Sequence, residues 1–152
     1  MASFKYNGVD ALGLTFEKMA NLSGEDLLRI IRPGAELLRE RLIEKVRTIF
    51  TQRSGSLANS FKLKERVWAD GAGISVLPTG KHPKSSTGKR RGKRRSNGSY
   101  QSTNAEIAFI LEYGSPRIGA THFMENTAEE SEQEVYNAMD AELTQILRER
   151  GL

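Results

Sequence analysis

No hydrophobic core can include the stretch from residue 80 to residue 104. It is rich in Gly, Ser, Thr, Lys and Arg, and its one aromatic residue is Tyr100. A segment of this composition buries too little apolar surface to offset the conformational entropy lost on ordering. The sequence therefore predicts a single domain over residues 1–152, in which a flexible basic loop at residues 80–104 is inserted between two strands.

The positive charge of the chain is concentrated in this loop. Eight basic residues lie in the fifteen positions 81–95, and no acidic residue occurs between Asp70 and Glu106. They are Lys81, Lys84, Lys89, Arg90, Arg91, Lys93, Arg94 and Arg95. Without these eight charges the net charge of +4 becomes −4, so the rest of the chain is mildly acidic. This pattern favours a polyanionic partner, either a nucleic-acid backbone or an acidic protein surface, over a loop that is only solvated.

Two long helices are predicted from apolar residues spaced three and four apart. Ser23 with Asp26 forms a capping box that starts the first helix. Pro33-Gly34 predicts a kink or a new helix start, after which the pattern continues to about Phe50. The second helix is predicted from about His122 to Arg150, with acidic residues in its first half and arginines at its end, as the helix dipole favours.

The strands are predicted to form a small, mostly antiparallel sheet. Residues 60–68 alternate apolar and polar, residues 70–73 (Asp-Gly-Ala-Gly) form a turn, and residues 74–77 return as a second strand. The apolar run at residues 107–111 is predicted to lie in a further, buried strand at residues 105–111. A short strand at residues 4–6 and a one-faced helical pattern at residues 12–20 precede them. The fold class is therefore α+β, with the sheet packed by a long central helix and a C-terminal helix.

No pattern of residues in the sequence indicates a catalytic site. The absence of cysteine excludes disulfides and thiolate metal sites, and neither His82 nor His122 has a carboxylate at metal-ligand spacing beside it. Glu112 is a lone carboxylate, which is more often hydrogen-bonded to backbone or to an arginine than catalytic. No apolar run approaches the roughly 20 residues of a membrane span. We therefore expect no catalytic residues, no cofactor, no metal and no membrane contact.

Three segments, in order, resemble the tail-completion or head–tail joining proteins of long-tailed bacteriophages. Residues 53–60 (Arg-Ser-Gly-Ser-Leu-Ala-Asn-Ser) are similar to that family's Arg-Thr/Ser-Gly-x-Leu-x-x-Ser segment. Residues 107–115 resemble its apolar run ending in Glu-Phe/Tyr-Gly-Thr/Ser, and Phe123-Met124 resembles its Pro-Phe-hydrophobic helix start. The chain departs from the family in placing His122 where proline is usual and in its longer, more basic loop.

The resemblance implies a structural virion protein, found at the head–tail interface and assembled in the host cytoplasm. Such proteins form a ring, commonly hexameric, that completes the tail and joins the tail tube to the head connector. The implied subunit-interface or motif residues are Arg53, Gly55, Leu57, Glu112, Tyr113, Gly114, Ser115 and Phe123, and Arg53 could pair with Glu112. Sheet edges and the N-terminal segment are further candidates for subunit contacts. The basic loop would face DNA in the lumen or an acidic neighbouring ring.

The alternative function belongs to another class of protein. A small nucleic-acid-binding protein could act through the basic arm at residues 81–95 alone. Such a protein would lose its affinity for polyanions without the arm, whereas an assembly protein would still associate through its folded body.

Overall fold

A computed structural model describes residues 22–50, 55–82 and 102–151 of the chain. The elements, in order, are helix α1 (Gly24–Ile49), a 3-10 helix (Ala58–Ser60), strand β1 (Phe61–Trp68), strand β2 (Gly71–Pro78), helix α2 (Asn104–Tyr113) and helix α3 (Phe123–Glu149). The predicted α+β class is confirmed, with a small antiparallel sheet, a long central helix and a C-terminal helix. The strand and helical pattern predicted at residues 4–20 lie outside the described residues.

Helix α1 begins where the sequence predicts and continues through its proline. The Ser23 side chain accepts a hydrogen bond from the backbone N–H of Asp26, and the Asp26 carboxylate accepts one from the N–H of Ser23. Pro33 lies inside a single helix, so the alternative of a new helix start is wrong. Gly34 allows α3 to approach closely, because a Cβ there would lie 2.8 Å from Cγ of Met139.

Strands β1 and β2 form the predicted hairpin. They pair in antiparallel register from Phe61 opposite Pro78 to Trp68 opposite Gly71. The connection is Ala69-Asp70, one position earlier than the predicted turn, so that Gly71 and Gly73 belong to β2. One face of the hairpin, which carries Phe61, packs against the core.

Residues 105–111 form most of helix α2, and the prediction of a buried strand there is wrong. Thr103 and Glu106 form a capping box that satisfies the first free N–H groups of the helix, and Gly114 ends it. An apolar run of this length fits a strand or one face of a helix equally well, and the caps at its two ends decide between them. The basic loop therefore leads from β2 to a helix, and the described residues contain no third strand.

A single core unites these elements. Its buried members come from α1, the 3-10 segment, β1, α2 and α3, and are Leu42, Val46, Leu57, Ala58, Phe61, Ala108 and Phe123. The rings of Phe50 and Phe123 meet edge to face, with their centroids 5.4 Å apart. None of the helices in the described ranges combines the length and apolarity that a membrane crossing requires.

Helices α1 and α3 run antiparallel and are joined by ion pairs along their length. Cations of α1 meet acids of α3: Arg41 lies 2.9 Å from Glu134, and Lys45 lies 2.8 Å from Glu130. At the other end Arg29 meets both Glu142 (2.7 Å) and Glu149 (2.8 Å), and Asp26 of α1 meets Arg150. The acidic first half of α3 is thus partly neutralised by α1.

Acid is expected to weaken this fold. The hydrogen bond from Arg29, helped by one from Gln145, lowers the pKa of Glu149 from 4.5 to about 2, and the hydrogen bond from the Ser23 hydroxyl lowers the pKa of Asp26. Because the unfolded chain binds these protons at higher pH, the stabilisation is complete above about pH 4.5 and is lost as the pH falls toward 2. Circular-dichroism melting should give a Tm that decreases steadily between about pH 5 and pH 2.5. A Tm that stays constant over that interval would contradict the assignment.

Candidate assembly surface and loop base

Glu112 of helix α2 caps the N-terminus of the next helix, α3. It lies at the end of α2 and is only 5 % exposed. Its two carboxylate oxygens accept hydrogen bonds from the backbone N–H groups of Met124 (2.8 Å) and Glu125 (3.2 Å), in the first turn of α3. A carboxylate at this position satisfies free N–H groups and complements the positive end of the helix dipole. Arg53, its predicted partner, lies outside the described residues.

The loop between α2 and α3 folds back onto the end of α2. Gly114 has φ 82° and ψ 179°, and a Cβ there would lie 2.8 Å from the backbone N of Ala120. Ser115 and Ile118 exchange two backbone hydrogen bonds around a tight turn. Thr121 donates to the carbonyl of Leu111 through both its N–H (2.9 Å) and its hydroxyl (2.6 Å). The Glu-Tyr-Gly-Ser motif therefore has a structural role. Glu112 caps α3, and Gly114 allows the chain to fold back onto the end of α2.

His122 precedes α3 in a left-handed conformation, with φ 49°. Its side chain makes no capping hydrogen bond, and the cap comes from Glu112 instead. Ligand atoms of Glu112, His122 and Glu125 lie within 4.8 Å of one another, a grouping that the sequence analysis did not predict. The only feature of the sequence that points to this grouping is the spacing of three between His122 and Glu125 at the start of a predicted helix. Both oxygens of Glu112 already serve backbone N–H groups, so the grouping is explained by the start of the helix.

An exposed aromatic patch covers the outer side of α2 and of the loop after it. We define the aromatic patch as Phe109, Tyr113 and Ile118, whose exposed fractions are 63 %, 62 % and 46 %. The rings of Phe109 and Tyr113, one turn apart, have centroids 4.8 Å apart, and Tyr113 also meets His122 edge to face at 6.4 Å. Aromatic residues clustered on a surface are typical of protein–protein interfaces. The sequence analysis missed Phe109, because a strand would have buried it.

The other predicted interface residues serve the fold or the loop. Leu57 and Phe123 are buried in the core, 6 % and 0 % exposed. Gly55 has φ 64°, and its carbonyl accepts from the N–H of Asn59 at the start of the 3-10 segment. Of the predicted set, Tyr113 and Ser115 lie exposed at the surface.

The two ends of the basic loop are held together at a base built around Asn104. This residue is 3 % exposed, and its amide nitrogen donates to the carbonyl of Thr79 (2.8 Å). Its amide oxygen accepts from the Ser56 hydroxyl (3.1 Å) and lies 3.0 Å from Nδ1 of His82. Because that oxygen can only accept, Nδ1 of His82 carries the proton. A backbone hydrogen bond of 2.7 Å from His82 to Ser102 closes the base.

One of the eight predicted polyanion-contact residues lies at this base. Lys81 pairs with Thr103 in an isolated antiparallel bridge and is exposed. The remaining seven lie outside the described residues: Lys84, Lys89, Arg90, Arg91, Lys93, Arg94 and Arg95. The base thus holds together the residues that flank the basic segment, beside the end of the hairpin.

Comparison of the chain with protein-family models, with curated proteins and with solved structures finds no match. The function proposed for the chain therefore rests on its sequence motifs and on the surfaces of its described residues.

Proposed function

We propose that the chain is a tail-completion protein of a long-tailed bacteriophage. In this role it forms a hexameric ring at the top of the tail and joins the tail tube to the head connector, as a structural component of the virion. Three motifs in the family's order support the assignment, and the single observation that carries it is the exposed pair Phe109–Tyr113. This pair belongs to the same segment, residues 107–115, that resembles the family's apolar run and Glu-Tyr-Gly-Ser motif.

A ring needs two different surfaces that meet on neighbouring subunits, since a heterologous contact closes by rotation. The aromatic patch supplies a candidate for one of them. The hairpin offers a candidate for the other, because within the described residues β1 and β2 pair only with each other, so that each has one edge without a strand partner. An open strand edge accepts a segment of a neighbouring chain through backbone hydrogen bonds.

Light scattering of the purified protein tests this proposal. Six copies of a 17.0 kDa chain give a particle of about 102 kDa, and we expect this mass to appear as the concentration rises. The double variant Phe109→Gln, Tyr113→Gln should remain at the mass of a single chain, since it removes the apolar contact surface and places a good helix former at both positions. Both positions are exposed, so the far-ultraviolet circular dichroism should be unchanged.

Tyr136→Gln is the matched control, because Tyr136 is an exposed aromatic residue on α3, outside the aromatic patch. It should leave the ring intact. A wild-type mass of 17.0 kDa at every concentration would argue against the ring. If that single chain also bound DNA with an affinity that vanished when the basic residues of positions 81–95 were replaced by serine, the nucleic-acid-binding alternative would take its place.

A further inference from the structure

The two faces of the hairpin carry different kinds of side chain: one face packs on α1, and the outer face carries three cations. Side chains alternate along a strand, so Lys62, Lys64, Arg66 and Trp68 share one face of β1. Across the ladder, the same face of β2 carries Leu77, Ser75, Gly73 and Gly71. We define the outer face of the hairpin as these eight residues. The opposite face contains the buried Phe61, and its Glu65 pairs with Arg32 of α1 at 2.9 Å.

The three cations of this face lie in a row. Successive residues on one face of a strand are about 7 Å apart, a spacing comparable to that of successive phosphates along one nucleic-acid strand. All three side chains are exposed, and the outer face contains no acidic residue. Within the described ranges none of the three forms an ion pair, whereas Arg29, Arg32, Arg41 and Lys45 each meet a glutamate.

An exposed tryptophan stands at the end of the row. Trp68 is 54 % exposed, and its six-membered ring lies over Gly73, where a Cβ would come within 2.9 Å of Cη2. The glycines opposite therefore leave room for the indole to lie across the hairpin. Aromatic side chains combined with a line of cations are the features with which proteins bind single-stranded nucleic acid, through base stacking and phosphate contacts.

We propose that the outer face of the hairpin binds a single strand of DNA, with Lys62, Lys64 and Arg66 on successive phosphates and Trp68 stacked on a base. None of its eight residues belongs to the basic loop at residues 80–104, and its binding does not depend on ring formation. The loop base, with the exposed Lys81, lies at the opposite end of the hairpin from Trp68.

Trp68 makes the test specific, because it is the only tryptophan in the chain. The full chain is titrated with an oligothymidylate of roughly 16 nucleotides, the upper end of the site size of one small binding domain, while tryptophan emission is recorded. We expect quenching, and an affinity that falls steeply with salt. The slope of log K against log salt concentration should be shallower by about 2 in the triple variant Lys62→Gln, Lys64→Gln, Arg66→Gln. Each single-strand phosphate contact contributes about 0.7 to that slope, and the variant removes three such contacts. Between about 50 and 200 mM salt the wild type should therefore lose on the order of twenty-fold more affinity than this variant.

Two further variants separate this site from general charge and from the loop. Arg47→Gln, Arg117→Gln, Arg148→Gln removes the same charge from exposed positions elsewhere and should leave the slope unchanged. Serine at the seven basic positions from Lys84 to Arg95 should weaken binding without abolishing the quenching. Circular dichroism confirms that each variant is folded.

Four results would overturn the proposal. They are binding of the oligonucleotide without a change in Trp68 emission, a triple variant whose salt slope equals that of the wild type, a control variant that loses as much slope as the triple variant, and equal quenching by polyglutamate. Equal affinity and quenching with a DNA duplex would also count against it, since a paired base is not available for stacking on Trp68.

Discussion

Replacing Phe123 by alanine is expected to lower the free energy of unfolding by about 3–5 kcal/mol. Phe123 is 0 % exposed, contacts Phe50 edge to face and begins α3 directly after the loop. The alanine variant loses the transfer free energy of the ring and leaves a cavity that the surrounding helices only partly fill. Urea denaturation followed by circular dichroism measures the change.

Phe109→Ala provides the matched control for this prediction. It removes the same atoms from a ring that is 63 % exposed in the single chain, so its cost should stay within about 0.5 kcal/mol when unfolding is measured at concentrations too low for ring formation. Similar losses at the two positions under these conditions would contradict the burial of Phe123 or the exposure of Phe109 in the single chain.

Replacing Gly114 by alanine should also destabilise the protein severely. The backbone angles φ 82° and ψ 179° fall in a region that is essentially restricted to glycine, and forcing another residue into it costs about 1–3 kcal/mol. The added Cβ would also lie 2.8 Å from the N of Ala120 and 2.9 Å from the carbonyl oxygen of Ile118. Both neighbours are backbone atoms held by the α2–α3 loop, so the overlap adds to the backbone strain.

Gly119→Ala tests whether this effect belongs to the position rather than to the loop. It adds the same methyl group five residues later, where no atom lies within 4 Å. Its effect on the free energy of unfolding should stay within about 0.5 kcal/mol. Equal free energies of unfolding for the Gly114 and Gly119 variants would show that the loop adopts another conformation in solution.

Local patterns were enough to predict the long elements. The capping box of Ser23 and Asp26, the helical spacing of α1 and α3 and the alternation of β1 each depend on residues close in sequence. Helix α2 was missed although its own signal, Thr103 with Glu106 three residues later, stands in the sequence. The apolar run by itself favours a strand, and the cap that precedes it decides for a helix.

The site was less predictable, because its decisive contacts are not local. Glu112 was identified as a motif residue, but its partners are N–H groups twelve and thirteen residues further along the chain. The closure of the loop base by Asn104 likewise joins residues from three separate segments. Helical spacing does place Phe109 beside Tyr113, yet only after the segment is known to be a helix.

Because the cap of α3 comes from α2, we expect the two helices to open together. The amide hydrogens of Met124 and Glu125 are bonded to a carboxylate that is in place only while α2 is folded. Their exchange with solvent deuterium should therefore follow the unfolding of α2, so that the end of one helix and the beginning of the next behave as a single cooperative unit.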